Sequence, residues 1–249
     1  VSDKVVLSYS KTTYDKTEKE PDVTIEGLVK DTDYSVTYSN NVNAGTATVT
    51  IVGMNDYVGT LYQYFTIEPA KMTGVSVHGY KGTYDESSHT ITLDGVPEGA
   101  VITYASEESG IYSEMKPDRR SAGTTTVYYK INKANYEELK GCVKIVIEAA
   151  PIAEKKVELS DVSYVYDGTA KSPNVAIAGM IRGIDFTVSY SKNVDAGTGI
   201  VTVEGIGNYK GVLYQYFTIE PAELTGISAQ GYTGEYDKKS HTIILQGVP

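Results

Sequence analysis

Apolar and polar positions alternate with a period of two along most of this chain. In segment 33–39, Tyr34, Val36 and Tyr38 share one side and Ser35, Thr37 and Ser39 the other; in 46–51, Ala47, Val49 and Ile51 oppose Thr46, Thr48 and Thr50. Side chains of a strand point alternately to its two faces, so each stretch predicts a strand with one buried face. The same reading gives strands at 5–7, at the short apolar run 23–25 between Pro21 and Gly27, and at 61–68 with Leu61, Phe65 and Ile67 inward. Segment 40–45, rich in asparagine and closed by glycine, predicts a turn using left-handed backbone. No segment carries the 3.6-residue period over a useful length, and 135–140 has room for a single helical turn at most.

The pattern then returns. Tyr62-Gln63-Tyr64-Phe65-Thr66-Ile67-Glu68-Pro69-Ala70 recurs verbatim as 214–222, and at that offset of 152 the segment 4–97 aligns without a gap on 156–249, about half of the positions being identical. A looser repeat lies between: Ala44-Gly45-Thr46, Ala122-Gly123-Thr124 and Ala196-Gly197-Thr198 each precede an alternating strand. The organisation read from this is 1–70 as a type A repeat, 71–150 as type B, 151–222 as type A again and 223–249 as a truncated type B. In the second repeat Val127, Tyr129 and Ile131, then Val143, Ile145 and Ile147, form the inward sets, and the connection 106–120 is far longer than the turn at 40–43. Many short strands, turn residues at regular spacing and short proline-bearing linkers predict an all-β fold: an elongated tandem array of small immunoglobulin-like β-sandwich repeats. Segment 223–249 is too short to close a sandwich, and the expectation is that it pairs with another chain.

Composition narrows what such an array does. The 249 residues carry a net charge of −10 and no repeat is net basic, which argues against nucleic acid or an anionic membrane as partner. No apolar run approaches the roughly 18 residues of a bilayer span, so this fragment is not expected to insert. One cysteine, Cys142, excludes a disulfide framework and reads as a strand residue. Repeats of about 70 to 80 residues bury only roughly 60% of their unfolded surface and are marginal alone. With Val1 in place of an initiator Met, and a start inside a strand pattern, the chain reads as a fragment of a longer protein.

Tyr166-Asp167-Gly168-Thr169-Ala170-Lys171-Ser172-Pro173, Asp185-Phe186-Thr187-Val188-Ser189-Tyr190-Ser191, Asn193-Val194-Asp195-Ala196-Gly197-Thr198, Gly207-Asn208-Tyr209-Lys210-Gly211 and Phe217-Thr218-Ile219 together resemble bacterial immunoglobulin-like surface repeats of the MBG type. Gly79-Tyr80-Lys81-Gly82-Thr83-Tyr84-Asp85, with Gly95-Val96-Pro97-Glu98-Gly99-Ala100, resembles the companion repeat found beside them. The resemblance covers nearly the whole chain. It implies a secreted or cell-wall-attached protein of Gram-positive bacteria in which such repeats serve as stalks or adhesive arms, and it carries no catalytic residue and no cofactor. Tyr14-Asp15-Lys16-Thr17 departs from the pattern, which has glycine at the Lys16 position, so a different turn is expected there.

Candidate chemistry is sparse. His78, His89 and His241 form no metal or catalytic spacing, and the last two occupy one repeat position, which reads as a strand residue. Gly205-Ile206-Gly207 lacks a following helix and reads as a turn. Glu107, Glu108, Glu114 and Asp118 lack the ordered ligand spacing of a calcium loop and read as solvated carboxylates, so no metal site and no cofactor are assigned. Two binding candidates remain. Tyr62 and Tyr64, and again Tyr214 and Tyr216, alternate with buried residues on the closing strand and form an aromatic stripe suited to a glycan or a host protein; the alternative is cross-strand packing. The 106–120 loop offers Ile111, Tyr112 and Met115 beside both signs of charge; the alternative is a hairpin covering the sheet edge. The function expected is a non-enzymatic, extracellular spacer or stalk, with adhesion to a glycan or a cell-surface protein as the second reading.

Overall fold

The computed structural model describes residues 4–247, which divide into two compact units on either side of the Glu148–Ala149 bond. The first unit holds two sandwiches. In the first, β1 (Val5–Leu7), β2 (Lys11–Thr13), β3 (Val23–Ile25), β4 (Tyr34–Ser39), β5 (Gly45–Gly53) and β6 (Thr60–Glu68) follow one another. Strand β1 pairs with β3 in a two-stranded sheet, and β2-β6-β5-β4 form a four-stranded one in which β2 runs parallel to β6. The alternation seen in sequence is the alternation of burial: Ala47, Val49, Ile51, Phe65 and Ile67 are all buried, packed against Val23 and Ile25 of the small sheet. Tyr34 reaches across the core, and its hydroxyl donates to the Val23 carbonyl at 2.9 Å.

The second sandwich repeats the plan with β7 (Ser76–His78), β8 (Tyr80–Thr83), β9 (His89–Thr90), β10 (Thr92–Asp94), β11 (Val101–Ala105), β12 (Asp118–Arg119), β13 (Gly123–Asn132) and β14 (Leu139–Glu148). Its sheets are β7-β10 and β11-β13-β14-β8, again closed by a parallel pair, β14 with β8. The long 106–120 connection folds back on the edge of this sheet, with Ser113 and Tyr104 exchanging backbone hydrogen bonds, and then pairs β12 with β9.

The second unit contains β15 (Ala150–Pro151), β16 (Val157–Leu159), β17 (Ser163–Val165), β18 (Val175–Ile177), β19 (Phe186–Ser191), β20 (Gly197–Gly205), β21 (Tyr209–Lys210) and β22 (Val212–Glu220), followed by β23 (Ser228–Gln230) and β24 (Ile244–Gln246). Its sandwich copies the first, with β17-β22-β20-β19 as the large sheet. A 3-10 turn spans Ile152–Glu154, and 135–140 is hairpin, not helix. No helix among these residues is long and apolar enough to cross a membrane. Strands β23 and β24 pair only with each other, and Leu224, Ile243, Ile244 and Leu245 in that segment are exposed.

The first unit shows how one sandwich is tied to the next. The Ala70 amide donates to the Asn135 carbonyl at 3.0 Å, and the Glu137 amide donates back to the Ala70 carbonyl at 2.9 Å, so the linker runs as a parallel bridge beside the β13–β14 hairpin. Asn135 holds left-handed backbone at φ 71°, a conformation asparagine tolerates, and this turns its side chain toward the first sandwich. Its Oδ1 accepts from the Ala44 amide and its Nδ2 donates to Asn43 Oδ1, both at 2.9 Å. Tyr14 meets Tyr136 edge-on, ring centroids 5.6 Å apart.

A latch recurs in all four repeats. Asp15 Oδ1 accepts from the Thr17 amide and hydroxyl, and the buried Lys19 ammonium closes on the same carboxylate; Asp167, Thr169 and Lys171 do the same. The Asn41 side chain then donates to the Lys19 carbonyl while the Lys19 amide donates to the Asn41 carbonyl, fastening the latch to the β4–β5 turn. In the other repeat type a histidine stands in for lysine: His89 meets Asp85 at 2.9 Å and stacks on Tyr80, and His241 meets Asp237 at 2.8 Å and stacks on Tyr232.

The turn at Asp15 does not differ as the sequence suggested. Lys16 adopts φ 75° where Gly168 adopts φ 79°, with the same hydrogen bonds, because the Asp–Thr–Lys latch fixes the turn whichever residue sits inside it. A side chain in left-handed backbone costs roughly 1 kcal/mol relative to glycine. Lys16→Gly is therefore expected to stabilise the first sandwich by about that amount in urea titration, while Gly168→Lys destabilises the third by a similar amount. The lysine and threonine bonds hold the Asp15 and Asp167 carboxyls well below the usual carboxylate range. A carboxyl with a lowered folded pKa contributes stability that is complete above its unfolded value, about pH 4, and is lost as pH falls further. The double variant Asp15→Asn, Asp167→Asn should accordingly flatten the acid limb of thermal stability below about pH 4, whereas an unchanged acid limb would mean the latches carry none of it.

Candidate functional site

Strand β6 places its residues by simple alternation: with Phe65 and Ile67 in the core, Tyr62 and Tyr64 fall on the outer face. The register sets Tyr62 opposite Thr50 and Tyr64 opposite Thr48. In the third sandwich Tyr214 lies opposite Thr202 and Tyr216 opposite Ile200. All four tyrosines are between 56 and 60% exposed, so each of these sheets presents two phenol rings about 7 Å apart along a strand. Threonines and serines surround them: Thr37 and Ser39 on β4, Thr187 and Ser189 on β19. Such a surface offers flat π-faces and hydroxyl groups together, the combination that stacks on and hydrogen-bonds to a sugar ring or anchors a protein partner. The same outward faces also carry the Lys11–Glu68 ion pair, at 3.2 Å, in the first sandwich and Glu204 in the third.

The second sandwich does not continue the stripe. On β14 the outward positions are Lys140, Cys142 and Lys144, and β13 sets Tyr128 opposite Cys142 and Lys130 opposite Lys140. Like charges directly across a ladder repel. Tyr112 from the long loop relieves this by covering the Lys130 ammonium, 4.4 Å from its ring centroid, and its hydroxyl donates to the Glu108 carbonyl at 3.1 Å. Tyr112 is therefore half-buried in a cation–π contact. Ile111 and Met115 are not gathered with it; they are 95 and 76% exposed. Between loop and sheet lies a shallow cleft of about 320 Å³ lined by Glu108, Tyr112, Tyr128, Lys140 and the exposed, unpaired thiol Cys142.

Sequence reasoning missed Tyr128, Lys130 and Lys140, although the alternation of β13 and β14 already sets them on the outward face. Among the described residues no three histidine, cysteine, aspartate or glutamate side chains converge as metal ligands. His89 and His241 are both engaged by an aspartate and a tyrosine ring. Asp85 is held below the usual carboxylate range, first by His89 and then by the Ser87 amide. Burial raises the Tyr104 hydroxyl above its ordinary value.

No family model matches the chain, and no curated protein matches it in sequence. Among solved structures it is similar to protocadherin gammaB7 EC3-6, at 9% identity over 88% of this chain and 77% of that one, TM-score 0.27. Drosophila N-cadherin EC1-4 aligns at 12% identity over 91% and 76%, TM-score 0.23. Domains 4–9 of the surface layer protein SbsC align at 16% identity over 90% and 48%, TM-score 0.20. The strand topology itself makes the chain an all-β tandem array of small two-sheet sandwiches; no residue role follows from these alignments.

Proposed function

We propose that this chain is the non-enzymatic repeat region of an extracellular bacterial surface protein of the MBG type, a spacer that holds a functional module away from the surface. The observation that carries the reading is the held linker. Ala70 lies in a backbone ladder with the hairpin of the sandwich it leads into, and Asn135 fastens that hairpin to the turn of the sandwich before it. A linker whose alanine is hydrogen-bonded at both its amide and its carbonyl suits a spacer better than slack chain does, because slack chain transmits neither load nor direction. The repeats in this reading are those at 1–70, 71–150 and 151–222, with 223–249 beginning another. The exposed apolar residues Leu224, Ile243, Ile244 and Leu245 favour pairing of this last segment with another chain. The acidic balance is that of a soluble, non-sticking surface.

Adhesion is the second reading, favoured by the two exposed tyrosine pairs. Its ligand would be a glycan or a host cell-surface protein, bound on Tyr62 and Tyr64 and on Tyr214 and Tyr216, with Ile111, Tyr112 and Met115 as a further contact. One experiment separates the two: the purified chain and its Tyr62/Tyr64/Tyr214/Tyr216 alanine variant on a glycan and host-matrix array. The spacer reading expects no saturable binding by either. Saturable binding by the chain that drops by about 100-fold in the variant, as loss of paired aromatic anchors would give, would establish the adhesin instead.

A further inference from the structure

The same joint is built into the second and third sandwiches, and among the described residues its equivalent in the first has no occupant. In the third sandwich the Ala150 amide donates to the Asn208 carbonyl at 2.9 Å, and β15 runs parallel to β21 with Ala150 beside Tyr209. Two residues on, Ile152 is fully buried in the end of the sandwich, its Cγ2 within 4.0 Å of the Cβ position of Gly211. The second sandwich uses the same spacing: Ala70 bridges Tyr136 and Met72, two residues on, is half-buried. Linkers thus follow one rule, alanine, any residue, then a large aliphatic side chain; Ala222-Glu223-Leu224 obeys it too.

In the first sandwich Tyr57 stands where Tyr209 stands in the third, and Gly59 where Gly211 stands. The local turns are the same, Gly53 donating to the Gly59 carbonyl as Gly205 donates to that of Gly211. What differs is the occupant. Tyr57 is 45% exposed against 6% for Tyr209, Val58 is almost wholly exposed, and no atom of the other described residues lies within 4 Å of the Gly59 Cβ position. A mostly apolar cavity of about 210 Å³ opens there, its lining including Ile25, Leu28, Tyr34, Ile51 and Leu61 together with the polar Asp33 and Thr60.

We propose that this cavity is a peptide-docking socket whose ligand is an extended Ala-x-aliphatic segment, lying parallel to Tyr57 and Val58 and inserting its aliphatic side chain beside Gly59. The source we assign is a lead-in segment ahead of the first sandwich, because the two filled joints are filled that way. Recognition is by backbone addition to the hairpin edge plus one buried side chain, which makes the middle residue free to vary, as lysine, proline and glutamate do in the three linkers. The inference stands whether the array acts as spacer or as adhesin.

The test extends the full chain by Ala-Ala-Pro-Ile placed directly before Val1, the register that the offset of 152 prescribes, and compares it with an otherwise equal extension ending in Asp. By analogy with Glu137, whose amide donates to the Ala70 carbonyl, the Val58 amide becomes a donor when the socket is filled. Its hydrogen exchange is expected to slow by about tenfold or more in the Ile extension and to stay at the rate of the unextended chain in the Asp extension. Equal rates in all three would overturn the socket. A Val58 amide already protected in the unextended chain, with head-to-tail association in sedimentation abolished by Leu224→Asp, would overturn the assigned source and make a second copy the occupant.

Discussion

The interaction on which the rest depends is the short backbone ladder between a linker alanine and the hairpin of the sandwich that follows it. Sandwiches of about 70 to 80 residues have little core to spare, and no disulfide is available to close their ends. The second and third therefore borrow from their linkers: each takes one alanine in parallel register, and the third also takes Ile152, buried beside Gly211. Ile152 is as buried as the central residues Val49 and Phe65, although it lies outside the sheets. The linker is thus part of the fold, and a repeat is not complete within its own strands.

A second economy appears in the latches. The four repeats need the same tight turn after their early strand, and all build it by an aspartate that accepts from the backbone two residues on and meets a lysine or histidine nitrogen four residues on. Lysine and histidine serve equally, because the geometry asks only for a donor reaching back over the turn. With histidine the space is filled by stacking on a tyrosine, at 3.8 Å for Tyr80 and 3.5 Å for Tyr232. Core substitutions between the copies are similarly local. Phe186 replaces Tyr34 and loses the hydroxyl bond across the core, while Gly199 replaces Ala47 and lets the Phe217 ring lie where a Cβ would stand.

Much of this was legible in the sequence, for physical reasons. A period of two reports a half-buried strand directly, so Ala47, Val49, Ile51, Val127, Ile131, Ile145 and Ile147 fall in the core as read. The outward tyrosines follow from the same alternation. What stayed hidden depends on contacts between segments far apart in sequence. Asn135 with Ala44, and Tyr112 over Lys130, leave no local periodicity to detect. The joint did leave a trace, since Asn135-Tyr136 and Asn208-Tyr209 recur at equivalent hairpins and the linkers share their spacing, but only the structure reveals that the two motifs touch. The Lys16 turn was misread because a residue preference was taken for a requirement, when the surrounding hydrogen bonds were strong enough to impose left-handed backbone on a lysine.

The most direct measurement is hydrogen exchange at the Ala70 and Ala150 amides of the intact chain. If the linkers are ladder elements, these two amides exchange within about tenfold of the neighbouring strand amides, far slower than free peptide. Exchange at free-peptide rates would contradict the account, leaving sandwiches strung on slack chain and removing the joint as the organising feature of the array.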